Sequence, residues 1–454
     1  MALKREYGNE QPYIPAGIFK IRLPFIHYKW EISECLQAIL MCATCLGAIP
    51  VLESVLGIPY DIAWSMVIIN GLLYCVHALI GDPVVPGWIT PAIPLVSAFL
   101  TTAATSPGAD RNQFLIALQL VVGLAFLLMG ITGLAKKIID FIPSAIKAGI
   151  LLGAGFSAVM GEFNPAGRFN LYPITIAIGT VVSYFLLFSD RFKKMKQTNK
   201  LAKAIGNFGM LPAVILAVII GPLTGELPVP KFELGTIVKI PDFAGIINTL
   251  SPFGPTGFPG IDKFIKVIPT AFMVYIIAFG DFVSSDVLIK EADNVRQDEK
   301  IDFNVNRSNL ASAIRNIIQS FIAPYVPLCG PLWAAVTASV AERYKQGRES
   351  MDSIFSGVGT FRWMTFLSVT LYPVASFVRP ILPAALSLTL IVQGYVCGRI
   401  AMDEVKSPVD KGVCVVMAAI LALKGAAWGL GAGIILYIVC SGSKDKSVAP
   451  VEEK

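Results

Sequence analysis

Apolar residues in this chain come in repeated runs, several close to the roughly 17–25 residues that span a hydrocarbon core, with polar or basic stretches between them. The clearest lie at 114–134, 172–188, 211–223, 264–278, 413–423 and 425–440. A ruler of about 20 residues predicts about fourteen membrane segments. The first seven fall near 32–52, 63–80, 87–100, 114–134, 148–160, 172–188 and 209–223. The second seven fall near 264–289, 308–323, 330–341, 362–378, 380–398, 412–423 and 425–440. The expected fold class is an all-α polytopic membrane protein.

Charge orients these segments. With a cytoplasmic N-terminus, the clusters at Lys136, Lys137 and Lys147, at 191–203, at 343–348 and at 399–411 all face one side. Lys and Arg collect in cytoplasmic loops, so that side is the cytoplasm and both termini lie there. The loop after segment seven, with Glu226, Glu233 and Asp242, is then external. An odd number of segments in each half turns the second half upside down, giving two inverted seven-segment repeats.

Segments three and ten match across the halves. One opens with Pro83, Pro86, Gly87, Trp88, Pro91 and Pro94, the other with Pro324, Pro327, Gly330, Pro331 and Trp333. Proline cannot donate to a helix ladder and glycine weakens it. Each segment is therefore expected to be extended at first and helical for about half the membrane. Such interrupted segments at corresponding positions point to a transporter's binding site.

Composition removes other classes. The chain is 55% hydrophobic and 15% charged, with a mean hydropathy of +0.67. The net charge of +6 sits in the loops and calls for no nucleic acid. Residues 1–29 are polar and basic without a signal-peptide pattern. The eight cysteines lie in apolar runs without metal-ligand spacing, and His27 and His77 are the two histidines. A zinc site, a histidine triad, an enzyme and a cofactor are accordingly not expected.

Residues 36–51 begin Leu36-Gln37 and end in Ile49-Pro50-Val51. They resemble the first helix of bacterial uracil permeases, and the stretch through Asn70–Tyr74 is similar to their second. The chain thus resembles the nucleobase–ascorbate and sulfate permease superfamily over most of its membrane part, without a C-terminal regulatory domain. That resemblance implies a core of segments one to four and eight to eleven, a gate of five to seven and twelve to fourteen, and a homodimer through the gate. The expected division is 1–30 as a cytoplasmic segment, 31–135 and 263–378 as core, 136–262 and 379–441 as gate, and 442–454 as a cytoplasmic tail. Solute is implied between segments three and ten. This makes Trp88, Ile89, Thr90, Phe279, Asp281, Gly330, Leu332 and Trp333 the candidate substrate-binding residues.

Departures from the family carry information. The histidine that follows the helix-one glutamine in nucleobase permeases is Ala38 here, and 329–333 lacks their glutamate. The stretch from Phe279 to Asp286 keeps the acidic helix-eight motif, with Asp281 at the ligand or ion position. Ser285 lies one turn on, on the same face. A carboxylate and a hydroxyl can help hold Na⁺, although Asp281 could instead bond a neighbouring amide. Asp286 is expected at the cytoplasmic boundary, Arg315 near the entrance of segment nine with an acid to pair with, and Lys424 at the external surface. Trp88 and Trp333 supply either flat pocket walls or packing.

Facing helix N-termini attract an anion. The expected function is a symporter of a small organic or inorganic anion, coupled to Na⁺ through Asp281 and Ser285, in the lipid of a plasma (bacterial inner) membrane. A proton-coupled nucleobase permease and an anion channel stand as alternatives.

Overall fold

The structure, a computed structural model, describes residues 3–165, 167–207 and 210–440. The tail at 442–454 and the first residue of segment seven, Gly209, lie outside the described residues. Helix dominates, as the apolar runs require. In chain order the helices are α1 (Ile32–Leu46), α2 (Ile49–Leu56), α3 (Tyr60–Leu79), α4 (Ile93–Ala103), α5 (Ala109–Thr132), α6 (Ala135–Phe141) and α7 (Ser144–Phe163). Then come α8 (Pro173–Phe188), α9 (Asp190–Thr198), α10 (Lys200–Asn207), α11 (Leu211–Thr224), α12 (Phe243–Thr249) and α13 (Ile261–Val295). The last are α14 (Val305–Ile322), α15 (Ala334–Lys345), α16 (Ile354–Val369), α17 (Tyr372–Val378), α18 (Leu382–Glu404), α19 (Pro408–Lys424) and α20 (Ala426–Cys440). Two short antiparallel pairs interrupt them: β1 (Ile14–Ala16) with β2 (Phe19–Ile21), and β3 (Gly87–Trp88) with β4 (Cys329–Gly330).

Among the described residues, six spans are long and apolar enough to cross a membrane, or seven if the bent pair Pro173–Phe188 and Asp190–Thr198 is one. The helix α14 is 18 residues long yet carries Arg315, Asn316, Gln319 and several serines. These side chains are buried against other helices, so α14 needs no apolar stripe for lipid. The 35 residues of α13 reach about 52 Å at 1.5 Å per residue. This exceeds a hydrocarbon core of about 30 Å, so its polar C-terminal turns extend into water.

Packing sorts the helices into two sets. One has α5 against α13 and α14, α3 against α14 and α16, and α15 between α13 and α16, with α1 on α16. In the other, α7 packs on α18 and α19, α8 on α11 and α18, and α20 on α19. Small residues let the second set approach closely: a Cβ on Gly155 would lie 3.0 Å from the Gly394 carbonyl oxygen.

One boundary differs by more than two helical turns from the sequence expectation. Segment eleven is expected near 362–378. Instead α16 begins at Ile354, capped by Ser353 Oγ accepting from Phe355 N, and Arg362 sits at its middle. The N-terminal residues are tied to the helical body. Arg5 pairs with Asp298 (2.8 Å) and Glu299 (3.4 Å), and Lys20 bridges Glu10 and Asp302 at 2.7 Å each. The Arg22 guanidinium lies 3.8 Å over the Phe355 ring. These contacts bind the N-terminus to the loop after α13 and to the first turn of α16. In that network the Asp298 carboxyl is pushed down to about 2, chiefly by its hydrogen bonds from Arg296.

Candidate functional site

The prolines of both interrupted segments keep the backbone extended, and there the two segments meet. Gly87 pairs with Gly330 and Trp88 with Cys329. The ladder continues through Trp333 N to Val85 O (2.6 Å) and Ile89 N to Leu328 O (3.4 Å). A Cβ on Gly330 would stand 2.8 Å from the Trp88 carbonyl carbon, and one on Gly87 2.7 Å from the Leu332 oxygen. Only glycine permits this approach. Leu328 holds a φ of 49° in the turn leading into β4. That left-handed conformation costs an L-residue roughly 1–2 kcal/mol and persists only when its surroundings enforce it.

Beyond the crossing the chain turns helical on both sides. A 3-10 turn at Thr90–Ala92 leads into α4, and Trp333 is the N-cap of α15. Neither start has a side-chain cap. At the α4 start Ala92 N and Ile93 N already bond Ile89 O and Thr90 O, and Pro91 and Pro94 have no N–H, so the free first-turn N–H groups are those of α15, while each N-terminus carries about half a positive charge. Ala334 and Ala335, in the first turn of α15, are exposed, while Trp88, Thr90 and Trp333 are half-buried.

The polar side chains of α14 hold the crossing from behind. Asn316 imitates a third strand: its Nδ2 donates to Cys329 O (2.8 Å) and its Oδ1 accepts from Cys329 N (3.0 Å). Gln119 Oε1 accepts from Tyr325 N at 2.8 Å. Arg315 is fully buried, so it is not at the entrance of its segment, and its partners are not an acid. Its Nη1 donates to Gly330 O (2.8 Å) and its Nη2 to Gly87 O (3.4 Å). The same Nη1 lies 3.2 Å from His77 Nε2, while His77 Nδ1 lies 2.7 Å from Asp82 Oδ2. Arginine has no acceptor, so Nε2 carries the lone pair and Nδ1 the hydrogen. The charge of Arg315 thus rests on the two glycine carbonyls of the crossing.

The other candidates divide. Ile89, Gly330 and Leu332 are buried within the crossing and set its backbone path. The Trp88 ring packs 6.4 Å from Tyr325, and its Nε1 has no hydrogen-bond partner. Phe279 and Asp281 are half-buried on α13, which packs beside α15, and a Cβ on Gly280 between them would meet nothing within 4 Å. The Asp281 carboxylate has no ion pair or hydrogen bond among the described residues, whereas Ser285 is buried and its Oγ donates to the Asp281 carbonyl oxygen at 2.7 Å. The hydroxyl is therefore tied to the helix backbone, with its lone pairs still available. Asp286 pairs with Lys290 one turn on (2.6 Å), and Lys424 ends α19 exposed. Among the described residues no group of three or more His, Cys, Asp or Glu side chains is placed to hold a metal ion.

Sequence reasoning missed Arg362. It is fully buried in α16, 4.2 Å from the Tyr74 ring centroid and 5.1 Å from that of Trp333. The available signal was Ser353, which starts the helix nine residues before Arg362 and so puts the arginine at membrane depth.

With this geometry in view, solved structures supply the comparison. The transmembrane domain of a cyanobacterium bicarbonate transporter, BicA, aligns at a TM-score of 0.52 and 14% identity, over 90% of this chain and 99% of that one. SLC26A9 aligns at 0.55 and 13%, over 91% of this chain and 66% of its own. The murine Solute Carrier 26 family member A9 anion transporter in the inward-facing state aligns at 0.52 and 12%, over 90% and 68%. The chain shares their fold. No family model and no curated protein matches by sequence.

Proposed function

We propose that this protein is a secondary active transporter of a small anion. The observation that carries the reading is the crossing itself. Two uncapped helix N-termini are brought together by glycine-to-glycine pairing and backed by the Arg315 charge. Backbone N–H groups and helix dipoles stabilise negative charge there. The fold neighbours are by their titles a bicarbonate transporter and an anion transporter, in keeping with this class of solute.

In this reading α4 and α15 are half-helices of a fourteen-segment, inverted-repeat architecture. Residues 31–135 and 263–378 form a core that carries the anion past a gate of 136–262 and 379–441. The protein works as a homodimer through the gate, in the lipid of a plasma membrane, with both termini cytoplasmic. An ionised carboxylate at membrane depth costs at least ~2.5–3.5 kcal/mol, so Asp281 without a protein partner is kept for a cation. That cation is Na⁺, with Ser285 Oγ offering a lone pair beside it. Each ligand then raises the affinity of the other by the same factor.

The experiment is uptake of labelled bicarbonate, formate, chloride and sulfate into proteoliposomes under a Na⁺ gradient or a pH gradient. Wild-type uptake is expected to follow Na⁺, and Asp281→Asn to abolish that dependence in folded protein. Uptake driven by pH and indifferent to Na⁺ supports the proton-coupled alternative. Na⁺ dependence that survives Asp281→Asn removes Asp281 from coupling.

A further inference from the structure

Arg362 has no structural account in the fold described above. Its Nε, Nη1 and Nη2 are all buried with no oxygen or nitrogen acceptor and only the Cys45 thiol at hand, a condition no other arginine meets among the described residues. Arg315, a helix away, spends its charge on two carbonyls. The principal electrostatic neighbours of Arg362 are Tyr74, Cys45, Cys75 and Arg315, a set with no carboxylate and a second cation. A thiol is a weak acceptor. An isolated guanidinium in a dry interior is costly unless something negative joins it.

The surroundings indicate what joins it. The rings of Tyr74, Trp333 and Phe361 lie 4.2, 5.1 and 5.4 Å from its Cζ. Cation–π contacts of this kind engage the charge and leave the N–H edges of the fork free. Trp333 is also the uncapped N-cap of α15, half-buried beside the exposed Ala334. Trp333 therefore links the start of α15 to the guanidinium. Around the same crossing, Asn70 Nδ2, Trp88 Nε1 and Gln319 Nε2 are further buried donors without acceptors. Buried donors left without acceptors are what an anion with several lone pairs satisfies.

We propose that Arg362 is the side-chain ligand of the transported anion, and that this anion is planar and monovalent with two oxygens presented to the fork: a carboxylate, nitrate or bicarbonate. Two parallel N–H···O bonds match that shape, whereas chloride engages the fork as a point charge. The word "transported" rests on the carrier reading above; the binding role of Arg362 does not.

The test is thermal unfolding of the detergent-purified full chain, wild type and Arg362→Met, titrated with formate, nitrate and chloride at constant ionic strength. Without ligand, Arg362→Met is expected to unfold at a higher temperature, because a buried uncompensated charge has been removed. Formate and nitrate should stabilise the wild type at concentrations about tenfold below chloride, and the variant should bind them about 100-fold more weakly. A variant that is destabilised without ligand yet keeps the wild-type formate response overturns the proposal. So does a wild type that responds to chloride and not to the planar anions. If Arg362→Met does not fold, Arg362→Lys keeps the charge without the fork. It should keep the chloride response and lose at least about tenfold on formate, and unchanged formate affinity overturns the assignment. The titrations decide the role of Arg362 whether or not the liposome assay finds transport, so the two readings fail separately.

Discussion

Gly330→Ala is the smallest change that pushes the two interrupted segments apart. Its Cβ would sit 2.8 Å from the Trp88 carbonyl carbon and 2.9 Å from Ile89 N, where ordinary contact begins at 3.4 Å. The strands must separate by the difference, 0.6 Å, and both obstructing atoms are backbone, so no side chain can swing away. Overpacking of this kind costs about 1–3 kcal/mol. The separation also stretches the 2.8 Å bond from Arg315 to Gly330 O and misaligns the two helix starts. Gly87→Ala, with its Cβ 2.7 Å from Leu332 O, is expected to behave the same way. Gly280→Ala is the matched control on α13, where a Cβ meets nothing within 4 Å. It should be neutral or gain up to about 1 kcal/mol from helix propensity. The assay is the unfolding temperature in detergent together with anion uptake in proteoliposomes. Gly330→Ala is expected to lose stability and most uptake, and Gly280→Ala to keep its stability. A Gly330→Ala protein as stable and as active as wild type would refute the claim that the close crossing builds the site.

Arg315→Met removes the donor to the Gly330 and Gly87 carbonyls, and should cost about 3 kcal/mol in thermal unfolding, with Arg315→Lys recovering part of it. The Asp298 carboxyl titrates at about 2 in the folded protein, below the unfolded value near 3.9, so its stabilisation is complete above about pH 4 and is lost as pH falls towards 2. Limited proteolysis of the N-terminal residues should therefore accelerate as pH falls through that window with an acid-active protease, and Asp298→Asn should give fast cleavage already at pH 5.

Much of this architecture was legible in the sequence, because each signal was local. Runs of apolar residues located the helices, and the matched Pro/Gly clusters at 83–94 and 324–333 located the two segments that meet at Gly87 and Gly330. The charge network behind them was not legible. Arg315 was expected near the entrance of its segment, and Arg362 was only the first residue of the range for segment eleven. Their partners, the Gly87 and Gly330 carbonyls and the rings of Tyr74 and Trp333, come from distant parts of the chain. The pairing of Asn316 with Cys329 was hidden for the same reason. Ser285 illustrates a different limit: spacing put it on the face of Asp281, but only coordinates show its hydroxyl bonded to the Asp281 backbone rather than lying free beside the carboxylate.

Counterflow tests the central claim most directly. Proteoliposomes of the purified protein are loaded with unlabelled formate, chloride, bicarbonate or sulfate and diluted into the same labelled anion at trace concentration. A carrier whose single anion site is exposed alternately to each side returns from the interior loaded. For at least one of these anions, internal load should therefore drive transient accumulation of label above equilibrium. Label that enters at a rate indifferent to internal anion, or that fails to enter for the whole panel, would contradict an anion carrier built on the crossing of Gly87 and Gly330.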